Sequence, residues 1–276
     1  MNALTFTLIT QPKFTLDVSP LIPDNLEGKN ITHIKNIKLR YGKEIVKLEK
    51  LFLIKGKNSN HVCIEKSCDK LIHIGKRMTK GLIDVKGSAG DFLGQKMKNG
   101  KINVSEDAGS WVGNRMIDGR ININGNIGDY VGAGLPGDPY GMTNGLINIK
   151  GNAGDRVGDR MRRGIIVIQG KSGDYCGNRI HAGTIIALDR VGKHPGDGMR
   201  RGTIVLAKKP KHISATFKSC GNLKMEFLRL LFTQLIKMDP DFEIFKKYGP
   251  IAHRFSGDLA RNGKGEILIL QLINRR

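Results

Sequence analysis

Short runs that alternate β-branched and polar residues recur along the middle of the chain, as in Leu82-Ile83-Asp84-Val85-Lys86, Arg120-Ile121-Asn122-Ile123-Asn124 and Ile165-Ile166-Val167-Ile168-Gln169. Alternation with period two predicts strands that bury one face. Aligned run to run, the inward positions read Ile83, Ile102, Ile121, Ile147, Ile166, Ile185 and Ile204, and two residues later Val85, Val104, Ile123, Ile149, Ile168, Ala187 and Leu206. Stacked apolar ladders of this kind fill the inside of a solenoid. The outward position between them is polar at Asp84, Asn103, Asn122 and Asn148 but apolar at Val167, Ile186 and Val205. The last runs therefore need a cover. Either a partner protein supplies it, or a helix expected over residues 222–238 does, whose Met225, Leu228, Leu231, Phe232, Leu235 and Ile236 form an apolar stripe.

Glycines punctuate the same segment at a fixed interval. Gly81, Gly100, Gly119, Gly145, Gly164, Gly183 and Gly202 are 19 residues apart except for one gap of 26. Two further series, Gly90 to Gly192 and Gly75 to Gly196, keep that spacing and share the single jump. Three columns in one register define a repeat. Short strands joined at glycine corners predict a mainly β chain, a right-handed parallel β-helix of 19-residue rungs, each about 4.8 Å from the next, with a second short strand after each glycine of the second series. Residues 1–70 are expected to form an N-terminal cap, 71–206 the β-helix, and 207–276 a C-terminal extension carrying the amphipathic helix. The insertion from Ala133 to Tyr140 leaves the rungs as a loop. Leu135, Pro136, Asp138 and Tyr140 mark it as a candidate partner contact, since proline and glycine stiffen it and its apolar side chains gain from cover.

Charge adds a candidate site. Lys plus Arg number 46 against 25 Asp plus Glu, a net charge of +21, which favours polyanionic partners without choosing among them. Arg77, Lys96, Arg115, Arg160 and Arg179 share a column, replaced by Gly198 at the end. Like charges at rung spacing repel by about 1 kcal/mol per pair in water, so the column calls for an anion or for neighbouring acids such as Asp91, Asp129, Asp155 and Asp174. Met78, Met97, Met116, Met142, Met161 and Met199 run beside it and read as core filling. Phe92, Trp111, Tyr130 and Tyr175 form an aromatic column interrupted by Arg156 and His194, which suits ladder stacking or a partner contact better than base stacking.

Catalytic motifs are scarce. The seven histidines show neither His-x-His nor His-Glu-x-x-His, and the four cysteines (Cys63, Cys68, Cys176, Cys220) include no Cys-x-x-Cys, so buried free thiols are expected and no metal or redox centre. Nucleophile-elbow and phosphate-loop motifs are missing as well. No signal segment or long apolar run occurs, which reads as a cytoplasmic chain without a membrane contact. A polysaccharide lyase and a nucleic-acid-binding protein remain as alternatives from fold and charge alone.

The run Gly154-Asp155-Arg156-Val157-Gly158-Asp159-Arg160-Met161-Arg162-Arg163-Gly164 resembles the glycine-repeat β-helix shared by the C-terminal domain of the glutamate synthase large subunit and the C subunit of formylmethanofuran dehydrogenase. Ser19-Pro20-Leu21-Ile22-Pro23, Arg254-Phe255-Ser256-Gly257-Asp258-Leu259 and Gly263-Lys264-Gly265-Glu266 look like the C-subunit homologue in the formyltransferase/hydrolase complex of methylotrophic bacteria. That resemblance implies a scaffold component without catalytic residues of its own. Its partners would be an amidohydrolase-like A subunit, a B subunit and a formyltransferase D subunit, converting formyl-tetrahydromethanopterin to formate through a methanofuran-type carrier in formaldehyde oxidation. A tungsten or molybdenum dehydrogenase in methanogenesis is the alternative. It also implies that this chain binds no cofactor, that metals lie in other subunits, and that the carrier's γ-linked glutamate tail suits the Arg column. A free-standing glutamate-synthase-like domain would lack the flanking matches.

Overall fold

The computed structural model describes residues 2–273. The chain is mainly β, with one 13-stranded sheet rich in parallel pairings and a second sheet of four strands. Repeat strands Leu82–Gly87, Lys101–Val104, Arg120–Ile123, Leu146–Ile149, Ile165–Ile168, Thr184–Ala187 and Thr203–Leu206 lie side by side, parallel and in register. Ile83, Ile102, Ile121, Ile147, Ile166, Ile185 and Ile204 pair in one row and are fully buried. Burying each such side chain contributes roughly 1.5–3 kcal/mol before chain entropy is subtracted. The row runs further than the repeat: Val62 pairs with Ile83, Leu4 with Val62, and Ile267 with Ile204. Strands Asn58–Ser67 and Ala3–Leu8 thus extend the parallel sheet at one end and Gly265–Leu272 at the other.

The second half of each rung is leaner than expected. In place of a second strand there is one bridging residue per repeat, in the order Ala89, Ala108, Ile127, Ala153, Ser172 and Val191. Each stands directly before a glycine, so a strand has no room to propagate. Gln11 to Lys50 supply most of the four-stranded sheet, Glu44–Lys47, Lys38–Tyr41, Leu16–Asp17 and Leu71–Ile72. His73 ties this sheet to the first corner, its Nδ1 being 3.1 Å from Asp17 Oδ2. Burial raises the Asp17 pKa, but the hydrogen bonds from His73 and Ser19 outweigh it and hold the carboxyl far below the usual carboxylate range. A depressed folded pKa means that the stabilisation is complete above the unfolded value near 3.8 and is lost as pH falls below it. Asp17→Asn should therefore lower the urea midpoint at pH 6, and the gap to wild type should close on going towards pH 2. A gap that stays constant across this range would show that Asp17 contributes no titratable stabilisation.

The chain covers the apolar outward positions itself. The helix is shorter than the expected 222–238, spanning Glu226–Met238, because Lys218–Lys224 is an extended edge strand. Leu228, Phe232 and Leu235 of the helix join Phe242, Phe245 and Tyr248 in a second core against Val167, Ile186 and Val205. Arg120 anchors the far end of this cover, donating to Met238 O at 3.0 Å and to the Asp239 carboxylate. Lys150 reaches Asp241 at 2.9 Å. Under the same cover Asn148 is fully buried with both amide atoms unpartnered, whereas Asn103 and Asn122 continue a side-chain amide ladder from Asp84. The cysteines depart from expectation: all four are free, but only Cys176 is buried, and Cys220 on the edge strand is exposed. Burial pushes the Cys176 thiol up to about 11. No helix among the described residues is long and apolar enough to cross a membrane.

Candidate functional site

Each repeat carries a turn built on alternating left-handed residues. Trp111, Gly113 and Arg115 have φ of 62°, 64° and 52°, and Arg156, Gly158 and Arg160 repeat the pattern at 57°, 69° and 56°. A side chain in this region costs about 1 kcal/mol or more, so something must hold the arginines there. Backbone bonding to the next rung does so: Lys96 N–H donates to Asn114 O at 2.8 Å, Arg160 N–H to Asn178 O at 3.1 Å and Arg179 N–H to Asp197 O at 2.7 Å. The corner fixes the backbone and aims the side chains outward. Met78, Met97, Met116, Met142, Met161 and Met199, the next residue in each rung, are fully buried.

The basic column divides into two parts. Arg160 is used on the insertion, donating to Asp138 O at 2.7 Å and to Gly134 O and Leu135 O at 3.0 Å. Arg179 is paired with Asp159, whose carboxylate is only 2% exposed, at 2.5 Å. That hydrogen bond raises the Arg179 pKa further. Arg77 and Lys96, without an ion-pair partner among the described residues, line a groove of about 680 Å³ together with Lys98, Arg162 and Arg115, the last paired with Asp138 at 3.1 Å. Sequence reasoning missed Lys98 although its signal is present, since Thr79, Lys98, Ile117, Thr143, Arg162, His181 and Arg200 form a column two residues beyond the basic one. The four acids expected to neutralise the column form no ion pair with it among the described residues. Asp91, Asp129, Asp155 and Asp174 each present Oδ1 to a backbone N–H of the following rung, at 2.8, 2.8, 2.7 and 2.7 Å.

The insertion folds back to wall this groove. Asp138 Oδ1 accepts from Arg115 Nη1 at 3.1 Å, and its Oδ2 accepts from Leu135 N–H at 3.0 Å. Tyr140 lies under Arg162, 4.7 Å from ring centroid to guanidinium, and edge-on to His181 at 5.1 Å. The chain itself therefore gives Tyr140 and Asp138 their contacts, while Pro136 at the tip is exposed. Burial, with Arg200, Arg162 and Arg160 close by, lowers the His181 pKa, so its ring is neutral at pH 7 and the positive field comes from the fixed guanidinium and ammonium groups. Arg160→Ala removes donors from three carbonyls, and Arg160→Lys cannot restore the planar fork. Both variants should accelerate amide hydrogen exchange in 134–140, by a local cost of about 1–3 kcal/mol. Unchanged exchange in the alanine variant would show that the loop is held some other way.

The aromatic column forms two stacks. Phe92, Trp111 and Tyr130 stack with centroids 6.3 and 4.2 Å apart and His73 lies 5.3 Å from Phe92, while Arg156, Tyr175 and His194 form a second stack through a cation–π contact of 4.7 Å and a ring pair of 5.0 Å. The interruptions read from the sequence are thus members of the ladder, because an imidazole and a guanidinium are flat enough to stack.

A family model described as the GXGXG motif matches residues 33–226. The chain belongs to the GXGXG motif family. Among curated relatives, the C subunit of the tungsten-containing formylmethanofuran dehydrogenase 2 of Methanothermobacter marburgensis is 33% identical over 98 residues, 34% of this chain and 36% of that protein. The protein of that name from Methanococcus maripaludis is 34% identical over 95 residues. These alignments span about a third of the length of the curated relatives. A chain in the crystal structure of the formyltransferase/hydrolase complex (FhcABCD) from Methylorubrum extorquens, in complex with methylofuran, superimposes with a TM-score of 0.89 at 32% identity, over 96% of this chain and 98% of that one.

Proposed function

We propose that this chain is the scaffold component, the C subunit, of a formyltransferase/hydrolase complex that converts formyl-tetrahydromethanopterin to formate through a methanofuran-type carrier in one-carbon metabolism. One observation carries the reading, the near full-length likeness at 32% identity to a chain of such a complex. In this reading the rungs wind as a right-handed parallel β-helix, supported by the in-register isoleucine row and the single bridging residue opposite it in each rung. Catalysis then lies in partner proteins, an amidohydrolase-like one and a formyltransferase beside a B subunit, and this chain holds them in place in the cytoplasm. Within this chain the groove of Arg77, Lys96, Lys98, Arg115 and Arg162 takes the carrier's polycarboxylate tail, with Arg160 and Arg179 fixing its walls. The groove suits a flexible anion because its charges are spread along rungs without converging on a point. The curated relatives favour a second reading, the C subunit of a tungsten-containing dehydrogenase.

Purification of the chain from its native host at modest salt, with mass spectrometry of what co-elutes and an assay for formyl hydrolysis, separates these. Amidohydrolase-like and formyltransferase partners with hydrolytic activity are expected. Molybdopterin-bearing partners would move the answer to the dehydrogenase, and a lone monodisperse chain would overturn the scaffold reading.

A further inference from the structure

The last rung is closed at two places and open at a third. Along the sheet, Thr203–Leu206 is covered by Gly265–Leu272 in parallel register. At the basic corner, Gly198 N–H donates to the buried Asp258 carboxylate at 2.9 Å. At the aromatic corner nothing among the described residues plays this part. In every earlier rung the bridging residue donates its N–H to the next rung, from Ala89 N–H to Asp107 O at 2.9 Å through Ser172 N–H to Arg190 O at 3.0 Å. The residue that leads the aromatic ladder does the same, from His73 N–H to Asp91 O at 3.0 Å through Tyr175 N–H to Lys193 O at 2.8 Å. Their successors, Val191 N–H and His194 N–H, have no acceptor among the described residues, and Val191 O and Gly192 O accept nothing there. The sequence explains why the chain turns away. One repeat beyond Val191 stands Pro210, which has no N–H to bridge with and opposes extension of the ladder.

The departing segment leaves a cleft of about 620 Å³ beside this free edge. Its walls carry Arg190, Lys193, Lys208, Lys209, Lys211 and His212 against one carboxylate, Asp174, whose Oδ1 accepts from Lys193 N–H at 2.7 Å; the one ion pair here among the described residues joins Lys208 to Asp189. Unpaired backbone donors and acceptors beside a surplus of cations describe an edge that waits for a chain segment carrying negative charge. We propose that this corner is a docking site for an extended acidic segment of another polypeptide. The segment continues the stack as its next rung. Its carbonyls accept from Val191 and His194 N–H, its N–H groups donate to Val191 and Gly192 O, and its carboxylates meet the lysines. The inference stands on this corner alone and is independent of the carrier groove, which lies at the basic corner.

The test uses the full chain and two probes of equal charge, capped α-linked hexaglutamate and γ-linked hexaglutamate. An α-linked chain can match the backbone spacing of a rung, whereas a γ-linked chain offers the same carboxylates on the wrong backbone. In a chain whose carrier groove is disabled by Arg115→Glu and Arg162→Glu, the α-peptide should by fluorescence anisotropy at low salt bind about tenfold tighter than the γ-peptide, and adding K209E/K211E should lose about tenfold in affinity. Amide exchange at Val191 and His194 should slow on α-peptide binding. Slowed exchange at Val191 and His194 in this groove-disabled background reads the corner alone, whatever the fate of the carrier groove. K209E/K211E changes only exposed side chains, and its circular dichroism checks its fold. Equal affinity for the two probes without slowed exchange would reduce the corner to diffuse charge attraction and overturn the proposal. So would absence of α-peptide binding.

Discussion

Gly158→Ala is expected to cost roughly 2–4 kcal/mol, more than an exposed turn substitution would, through two separable terms. Gly158 has φ of 69°, where an alanine is strained by about 1–2 kcal/mol. A Cβ added there would also lie 2.5 Å from Ile185 Cδ1 of the next rung, a contact that forces repacking. Valine at 185 lacks that methyl. Ile185→Val alone should cost about 0.5–1.5 kcal/mol, yet in its background Gly158→Ala should cost only the backbone term. A double-mutant cycle on urea midpoints measures the difference directly. Additive effects would mean that the clash is absorbed elsewhere and that the glycine is required by backbone conformation alone.

This pairing also shows what kind of information the sequence carries. The isoleucine row, the methionine row and the glycine columns are legible because each residue has a counterpart 19 positions away in the same environment. Leu4, Val62 and Ile267 belong to the same row but lie outside the repeat, so periodicity cannot find them. The expected second strand does not form, since glycine directly after each bridging residue limits the ladder to one pair. In the candidate site the basic column is visible in the sequence, but its division is not. Arg160 is taken up by three backbone carbonyls of the insertion, and a carbonyl leaves no trace in residue identity. Asp138 and Tyr140 read as parts of a loop that faces outward, and the structure folds both onto Arg115, Arg162 and His181.

The cover over the outward face allows a sharper test of how the stack is held together. Phe232 is 4% exposed and stacks on Phe245 at 4.7 Å, above Val167, Ile186 and Val205. Phe232→Ala should cost about 3–5 kcal/mol from lost burial and the cavity left behind. Each repeat strand pairs only with its two neighbours in the sheet, so that loss is felt locally before it is felt globally. Amide exchange should therefore quicken in Ile165–Ile168, Thr184–Ala187, Thr203–Leu206 and the helix Glu226–Met238, while Leu82–Gly87 and Lys101–Val104 keep their protection. Those early strands carry Asp84 and Asn103 outward, joined by a hydrogen bond of 2.8 Å, and need no apolar cover. Uniform loss of protection along the sheet would instead mean that the rungs unfold as one unit, with the second core fixing the stability of the whole. The intermediate strand Leu146–Ile149 decides between graded and abrupt propagation. It carries Leu146 into the second core and leaves Asn148 buried without a partner, so it is the weakest join between the polar and apolar halves of the outward face.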